Sequence, residues 1–396
     1  MLKGIQLYTA MLMLIQLCTG TGYSQPTVAI ADGYAEGTTG GGKGETVTVT
    51  DAVTLRSACA STPPKIIIVK GNLGTVGQVT CKSDKTIIGY DTTSGFTGNL
   101  TFSGAANFIV QNLNIRNPDG IGTGDGIESS GCSKLFVTKC TFIDCKDGSF
   151  DIKNGSDYLT VSWCRFRYPT ISGHNLPNLL GHSDNNAAKD RGKLHITMHH
   201  NWYDDGCDQR MPRVRFGTVH VYNNLYACPN NTYCIGTGFE CRIRVETCVF
   251  ENVNQPWSDI NGMANGGKIG WNDLSLTDAE LPTYAPNTWP VFTPSYKFSM
   301  DSTAVIKDLL TDPVYGAGNR LAGRRVALLP HAPEIRPVDN QNSGTTHEEA
   351  ASIFDCSGRR VMDGHVQDQE TDRLSSGVFI MKNKNPDRGR TIRRLR

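Results

Sequence analysis

Six segments of the chain share one pattern of apolar residues, and their spacing restricts the fold more than any other feature. Each is apolar at its first, third and eighth positions. The six are FIVQNLNI (108–115), LFVTKCTF (135–142), LTVSWCRF (159–166), ITMHHNWY (196–203), VHVYNNLY (219–226) and IRVETCVF (243–250). Their starting positions differ by 27, 24, 37, 23 and 24 residues. A period near 24 with one insertion indicates a stacked structural repeat.

Each repeat is too small to bury an apolar face alone, so neighbouring repeats must stack into a continuous core. Short strands without helical segments between them predict an all-β protein, a right-handed parallel β-helix over residues 25–330. The sixth position of each segment then forms one column with steps of about 4.8 Å. Its members are Leu113, Cys140, Cys164, Asn201, Asn224 and Cys248. We expect the two asparagines to form an internal hydrogen-bonded ladder.

Charge and the N-terminus restrict the class of protein further. The formal net charge of +1 provides no global field for nucleic acid or a membrane, so any anion binding must be local. Residues 1–24 contain Lys3, a short apolar run and then small residues, which is typical of a cleaved signal peptide. We therefore predict a secreted monomer without a membrane span.

Thirteen cysteines suit an oxidising compartment, where some would form disulfides. The candidate pairs are Cys228 with Cys241, Cys59 with Cys81, and Cys140 with Cys164, the last alternatively as free thiols. The sequence contains no CxxC pair, so the cysteine spacing does not suggest a metal site. The histidines near residue 200 could suggest zinc, but they alternate along strands, which favours structural roles.

A dense arginine segment lies inside the repeat, in HHNWYDDGCDQRMPRVRF (199–216). Arg210, Arg213 and Arg215 suit carboxylate or phosphate, because guanidinium groups bind these anions in bidentate geometry. The alternative is a solvated charge run. The repeat register favours a site. Arg210 lies nine residues before the repeat that starts at Val219, and Asp125 lies ten residues before the repeat that starts at Leu135, so both lie at a similar angle around the coil.

Asp147 and Asp151 occupy a similar angle, twelve and eight residues before the strand at 159. A corner at Gly148 would bring their carboxylates together, and Asp125 would add a third from the neighbouring coil. Three hard oxygen donors suit calcium, with water and substrate completing the coordination. The alternative is a patch of Asp–Arg salt bridges.

Calcium beside arginines on a β-helix suits an acidic polysaccharide. A bound cation would withdraw charge from a uronate carboxyl group, and arginine would stabilise the enolate-like charge that develops. These roles indicate β-elimination rather than hydrolysis.

The chain resembles the pectate lyases of the large family that also contains the pectin lyases (polysaccharide lyase family 1). The matching stretches are SDKTIIGYD (83–91), DGSFDIKNGSDYLTVSW (147–163), RGKLHITMHHNWYD (191–204) and QRMPRVRFGTVHVYNN (209–224). With a glycine-rich segment near residue 40, the similarity covers about residues 30–320. QRMPRVRFG fits the RxPxxR signature of that family.

The resemblance implies specific roles for these residues. Arg210 would abstract the proton, while Arg213 and Arg215 would bind substrate carboxylates, with a structural role as the alternative for Arg215. The three aspartates match the calcium-binding acids, which favours unesterified polygalacturonate as the substrate. The remaining alternatives are a pectin lyase acting on methylated pectin, a β-helix polygalacturonase, and a non-catalytic β-helix that binds acidic polysaccharide.

Two features depart from the family pattern. The family's substrate-binding lysine has no counterpart in RYPTISGHNLPNLLGHSD (167–184), where Lys189, Arg191 or His174 are candidates to replace it. A family Asp-His pair is replaced by Thr138-Lys139.

Two further segments are assigned by pattern. Residues 37–43 superficially fit a phosphate loop, but Gly44 replaces the required Ser or Thr and no βαβ pattern follows, so we expect close-packed turns. After a linker at 331–350, residues 351–396 resemble the small β-rich sorting domains of type IX bacterial secretion.

Overall fold

The computed structural model describes residues 26–170, 173–284 and 286–320, together with four strands between residues 350 and 394. The strands, numbered along the chain, are β1 (Glu45–Val49), β2 (Lys65–Val69), β3 (Asn72–Thr80), β4 (Lys85–Gly89), β5 (Gly95–Ser103), β6 (Ala106–Gln111), β7 (Asn114–Asn117), β8 (Ile127–Ser130), β9 (Ser133–Thr138), β10 (Thr141–Cys145), β11 (Phe150–Lys153), β12 (Asp157–Ser162), β13 (Arg165–Arg167), β14 (Leu179–Leu180), β15 (His195–His199), β16 (Trp202–Tyr203), β17 (Arg213–Val214), β18 (Thr218–Tyr222), β19 (Leu225–Tyr226), β20 (Ile235–Thr237), β21 (Arg242–Glu246), β22 (Val249–Glu251), β23 (Trp257–Asp259), β24 (Lys268–Asn272), β25 (Ser275–Thr277), β26 (Ala350–Phe354), β27 (Arg360–His365), β28 (Phe379–Lys382) and β29 (Thr391–Arg394). The helices are α1 (Ala52–Ala60), α2 (Ala187–Asp190) and α3 (Thr303–Thr311), with 3₁₀ turns at Gly33–Ala35 and Met263–Asn265.

The strands form a parallel β-helix whose coils follow one another in sequence order. The first sheet has the order β1-β2-β4-β6-β9-β12-β15-β18-β21-β24. The second sheet runs β5-β7-β10-β13-β16-β19-β22-β25, and the third runs β5-β8-β11-β14-β17-β20-β23. The second and third sheets meet at β5, which pairs with β7 through its first residues and with β8 through its later ones. The predicted fold is therefore confirmed.

The register of the first sheet follows the sequence repeat. Phe108 pairs with Leu135, Leu135 with Leu159, and the same column continues through Ile196 to Val219 and Ile243. All six side chains are fully buried. The apolar first position of the repeat is thus an inward-facing column of the core.

A left-handed residue bends the chain between the first and second sheets in each coil. It occupies the fifth position of the repeat, with φ between 45° and 56°, in Asn112, Lys139, Trp163, His200, Asn223 and Thr247. This conformation is unfavourable for most side chains other than asparagine. The stacking of the coils therefore holds Trp163 and Thr247 in a conformation that their own backbone preferences oppose.

The predicted asparagine ladder is present at the next position. The Oδ1 of Asn224 accepts from the backbone N–H of Asn201 at 2.8 Å, and the Oδ1 of Asn201 accepts from that of Cys164 at 3.0 Å. The two amides donate to the carbonyls of Val161 and Met198. Each asparagine thus connects adjacent coils through the backbone rather than through another side chain.

The disulfides expected from the cysteine count are not formed. All eleven cysteines in the described part of the chain are buried free thiols, including the pairs Cys59–Cys81, Cys140–Cys164 and Cys228–Cys241. Cys140 and Cys164 occupy the sixth position of adjacent coils and are both fully buried. A disulfide needs Cβ atoms about 3.8 Å apart and bonds that converge. These two residues instead fill the core as small apolar groups.

Two terminal segments lie along the outside of the coils. The N-terminal segment crosses the first sheet, where the N–H of Gly41 donates to Thr86 Oγ1 at 2.9 Å. A side chain at Gly41 would start 2.1 Å from the Lys65 carbonyl, so the glycine-rich segment is close packing against the sheet, as predicted. The C-terminal segment starts beside Ile269, whose carbonyl accepts a hydrogen bond from the Thr288 hydroxyl. It ends beside Asp91, whose carbonyl accepts from the Asn319 amide. It lies along the side of the coils rather than over their end.

His199, the last residue of β15, and the following His200 hold the two terminal segments. His199 Nε2 lies 3.2 Å from Asp32 Oδ1 on the N-terminal side, and His200 Nε2 lies 3.0 Å from Asp301 Oδ2 on the C-terminal side. The two Nδ1 atoms are 2.8 Å apart. Both rings are buried, so the predicted structural role holds. The expected alternation of faces does not, because His200 has a left-handed backbone and its ring contacts that of His199.

The C-terminal strands β26–β29 form a separate antiparallel sheet in the order β27-β26-β28-β29. This agrees with a small β-rich appendage, while its assignment as a sorting domain stays a prediction. The signal peptide and nearly all of the linker at 331–350 lie outside the described residues.

Candidate active site

The predicted acids and arginines lie on one side of the coil, on and beside the third sheet. Asp125 precedes β8, Asp151 belongs to the adjacent strand β11, and Arg213 belongs to β17. A single strand, β14, separates β11 from β17. The acidic and arginine-rich segments are therefore two coils apart, as the repeat register predicted.

Asp125 and Asp151 converge on Gly148. A side chain at Gly148 would begin 2.8 Å from Asp125 Oδ1 and 2.7 Å from Asp151 Oδ1. Asp125 is 1% exposed and Asp151 7% exposed. Leu179 N–H donates to Asp151 Oδ1 at 3.2 Å and Thr123 donates to Asp125 Oδ2 at 3.1 Å, but Asp125 Oδ1 has no hydrogen-bond partner in the described chain. Only a glycine leaves this space open between the two carboxylates.

The electrostatics of the pair are unfavourable without a further positive charge. Burial, followed by the charges of Asp151 and Asp147, raises the pKa of Asp125 to about 9. Burial likewise raises the pKa of Asp151 to about 7. A buried, unpartnered carboxylate oxygen beside a second carboxylate is an arrangement that a divalent cation would stabilise.

Asp147, the third predicted acid, is turned away from the pair. Its side chain is 57% exposed, and its Oδ1 lies 3.0 Å from His174 Nε2. Accordingly, no three acidic, histidine or cysteine side chains form a ready metal cage in the described ranges. The residues fit a cation held by Asp125 and Asp151, while Asp147 contacts His174.

Sequence reasoning missed one charged pair on this surface. Lys153 Nζ lies 2.7 Å from Glu128 Oε2, on the strands β11 and β8. Burial lowers the pKa of Lys153, but its contact with Glu128 and the charges of Asp125 and Asp151 outweigh burial, so the pKa is raised. Strand alternation could have found it, because Asp151 and Lys153 are two residues apart and face the same side.

The three arginines occupy different environments. Arg215 is engaged by the protein, with Nε donating to Asp184 Oδ1 and Nη1 to the Gly181 carbonyl at 3.0 Å. Arg210 has a left-handed backbone, φ 64°, and its carbonyl accepts from Asn178 N–H at 2.7 Å.

Of these three arginines, Arg210 and Arg213 have unused hydrogen-bonding capacity. The Nε atoms of both are buried without a hydrogen-bond partner among the described residues. Burial and the neighbouring charges of Arg215 and Arg210 lower the pKa of Arg213. Clustered guanidinium groups with unpartnered donors favour binding of an anion.

The departures from the family pattern lie in different places. Of the three candidates for the missing lysine, His174 contacts a predicted site acid, whereas Arg191 pairs with Glu240 and Lys189 lies exposed in α2. Lys139 is buried at the turn between the first and second sheets, where Nζ donates to the carbonyls of Tyr315 and Gly316. Lys139 is therefore a structural residue that holds the C-terminal segment.

Fold and surface chemistry together define a parallel β-helix whose third sheet carries a buried acid pair beside an arginine cluster. The chain belongs to the pectate lyase family, whose sequence model matches residues 5–319. It is therefore a polysaccharide lyase, and its relatives support pectate lyase activity. None of the helices in the described residues is long and apolar enough to cross a membrane.

Individual comparisons agree with this membership. The chain is 36% identical to "Probable pectate lyase B" of Aspergillus flavus over 237 residues, covering 57% of this chain and 68% of the relative. It is 34% identical to the pectate trisaccharide-lyase of Thermotoga maritima over 214 residues, 52% of this chain and 57% of the relative. The structure of the thermostable pectate lyase PL 47 superposes with a TM-score of 0.64 at 22% identity, covering 76% of this chain and all of that one.

Proposed function

We propose that the protein cleaves α-1,4-linked polygalacturonate, the de-esterified backbone of pectin, by calcium-dependent β-elimination. The observation that supports this most directly is the unpartnered carboxylate oxygen of Asp125, which faces Asp151 across Gly148. Asp151 lies two coils from the arginines. A polyanion needs positive charge for binding, and its uronate carboxylates match both a protein-bound cation and the guanidinium groups. Methylated pectin would lack the charges that make this match.

Calcium would be held by Asp125 and Asp151, with Asp147 joining when it leaves His174. When bound, it would draw electron density from the substrate carboxyl group and make the proton on the adjacent carbon more acidic. The acid pair itself contributes a fixed, buried position for the cation. Gly148 contributes the space.

Arginine side chains would do the remaining work. Arg213 binds a uronate carboxylate, and Arg215 supports the segment through Asp184 and Gly181. Arg210 would lie next to the proton on C5. The acceptor of that proton is the neutral form of Arg210 or an adjoining hydroxide ion. The C–H electron pair forms the C4–C5 double bond while the bond from C4 to the glycosidic oxygen breaks, and the departing oxygen takes a proton from water to become a hydroxyl group. The product is a 4,5-unsaturated oligogalacturonide.

The test is the absorbance of that unsaturated product, measured with polygalacturonate and calcium and repeated with a chelator. A chelator-sensitive rise supports the proposal, and a larger rate on methylated pectin would favour a pectin lyase instead. Binding of polygalacturonate without any rise would indicate a non-catalytic protein.

Replacing Arg210 with alanine tests the assignment of the proton-accepting position. Loss of a positioned acid–base group lowers rates by about 10²–10⁴, and we expect kcat of Arg210→Ala to fall within that range. Arg56→Ala, in the exposed part of α1 at the end of the coil, is the matched control and should keep the normal rate. Full activity of Arg210→Ala would refute the assignment.

The residues at both ends concern localisation. We propose export through the N-terminal leader, with surface attachment or release directed by the C-terminal segment. Extracellular action is typical of pectate lyases, whose polymeric substrate lies outside the cell.

A further inference from the structure

Tyr233 has a buried hydroxyl group that the fold does not use. The residue is 3% exposed, and its hydroxyl has no hydrogen-bond partner among the described residues. A buried, unsatisfied polar group costs about 1–3 kcal/mol, and phenylalanine would fill the same space without that cost. Such a group in a native structure calls for a functional explanation.

The ring of Tyr233 and the side chain of Arg213 border the same space beside Gly236. Tyr233 precedes β20, and Gly236 of β20 pairs in register with Arg213 of β17. A side chain at Gly236 would begin 2.8 Å from Tyr233 Cε2 and 3.3 Å from Arg213 Cγ. The absence of a side chain at Gly236 therefore lets the phenol ring and the arginine approach each other.

The unpartnered atoms nearby are complementary to the hydroxyl. The Nε–H groups of Arg213 and Arg210 are donors without a partner, and the phenol oxygen is an acceptor without one. Burial raises the pKa of Tyr233 even though the charges of Arg213, Arg210 and Arg215 oppose the shift, so the group stays a neutral phenol. A neutral phenol can accept a hydrogen bond from a guanidinium group without neutralising its charge.

We propose that Tyr233 is a positioning residue for Arg213, and that in the substrate complex its hydroxyl accepts the hydrogen bond of Arg213 Nε. This bond leaves both Nη groups of Arg213 directed at a single uronate carboxylate. The substrate is the ligand that brings the two side chains into contact, because it draws the guanidinium group into one orientation. The inference rests on the proposed function, in which Arg213 binds the substrate.

The primary test compares Tyr233→Phe with Tyr226→Phe. Tyr226 is the matched control, because its hydroxyl is also buried and unpartnered but its ring belongs to the interior stack between Tyr203 and Phe250. Neither change removes a hydrogen bond in the free protein, so both variants should match or exceed the wild-type Tm. Loss of a hydrogen bond to a charged group corresponds to about tenfold, and we expect kcat/KM for Tyr233→Phe to fall by that factor, mainly through KM. Tyr226→Phe should keep the wild-type value.

A double-mutant cycle separates positioning from general structural damage. In the Arg213→Ala background, Tyr233→Phe should cause no further loss, because the residue acts only through Arg213. Additive losses, or a Tyr233→Phe variant with normal kcat/KM, would overturn the proposal. If the wild type shows no turnover, the proposed function fails. The double-mutant cycle is then measured with the Kd of each variant for polygalacturonate instead of kcat/KM. The same tenfold, non-additive weakening of binding supports the role of Tyr233, and unchanged binding refutes it.

Discussion

Gly148 is the residue on which the geometry of the acid pair depends. Its missing side chain leaves the space that Asp125 Oδ1 and Asp151 Oδ1 both face. Its φ is outside the left-handed region, so alanine is compatible with the backbone. Any effect of Gly148→Ala would therefore come from the occupied space and not from strain in the chain.

We expect Gly148→Ala to weaken calcium activation. Overpacking costs about 1–3 kcal/mol, which corresponds to roughly ten- to a hundredfold in affinity. The measurement is the calcium concentration that gives half-maximal lyase rate, with Tm in chelator as the control for folding. An unchanged calcium requirement would show that the cation binds elsewhere.

The sequence predicted this corner and two of the three carboxylates expected there, those of Asp125 and Asp151. The spacing of Asp147 and Asp151 indicated a bend at Gly148, and the bend is present. The carboxylate that joins Asp151 there is that of Asp125, while Asp147 contacts His174. His174 lies in the 37-residue repeat, whose insertion follows no period. The repeat register therefore predicts which coil carries a residue. It does not predict the direction of a side chain in a loop, such as Asp147, because that direction depends on contacts with residues of the insertion.

At the level of elements, stacked coils depend on bonds that run between neighbours. The asparagine ladder was predictable because its residues occupy one position of the repeat. The left-handed residue just before it was not predicted, because Trp163 and Thr247 are poor candidates for positive φ. Tertiary stacking overrides local preference there. Free cysteines also occupy the positions where disulfides were expected, and all eleven in the described residues are buried as small apolar groups.

Asn224→Ala tests the contribution of the ladder. The change removes the acceptor of the Asn201 N–H and the donor of the Met198 carbonyl, both in the core. Two buried backbone groups left unsatisfied should cost about 2–4 kcal/mol of unfolding free energy. The measurement is the shift of the urea unfolding transition, compared with Asn185→Ala at an exposed position, which should change stability by less than about 0.5 kcal/mol. Equal effects of the two substitutions would contradict the ladder's role.

For the whole molecule, a net charge of +1 conceals a strong local separation of charge. The buried carboxylates of Asp125 and Asp151 lie on two adjacent coils of the third sheet, and unpartnered guanidinium donors lie two coils beyond Asp151. A near-neutral total provides no global field for non-specific binding, while the local pattern fits the acidic polymer of the proposed function. Folding into coils produces this separation, because it places residues some 60 positions apart in sequence on the same surface.

The acid pair makes the stability of the whole molecule depend on pH and calcium together. The pKa of Asp125 rises from 3.8 to about 9 on folding, and that of Asp151 to about 7. Between the unfolded pKa of 3.8 and the folded pKa of Asp125, about 9, the folded protein binds more protons than the unfolded chain. Stability should therefore fall as the pH rises from about 4 towards 9. Calcium binds the ionised carboxylates, so it should raise Tm more at pH 8.5 than at pH 5. Thermal unfolding in calcium and in chelator measures both slopes. In Asp125→Asn, stability should decline less steeply with pH, and calcium should raise Tm only slightly. If calcium raised the Tm of the wild type equally at both pH values, this linkage would be contradicted.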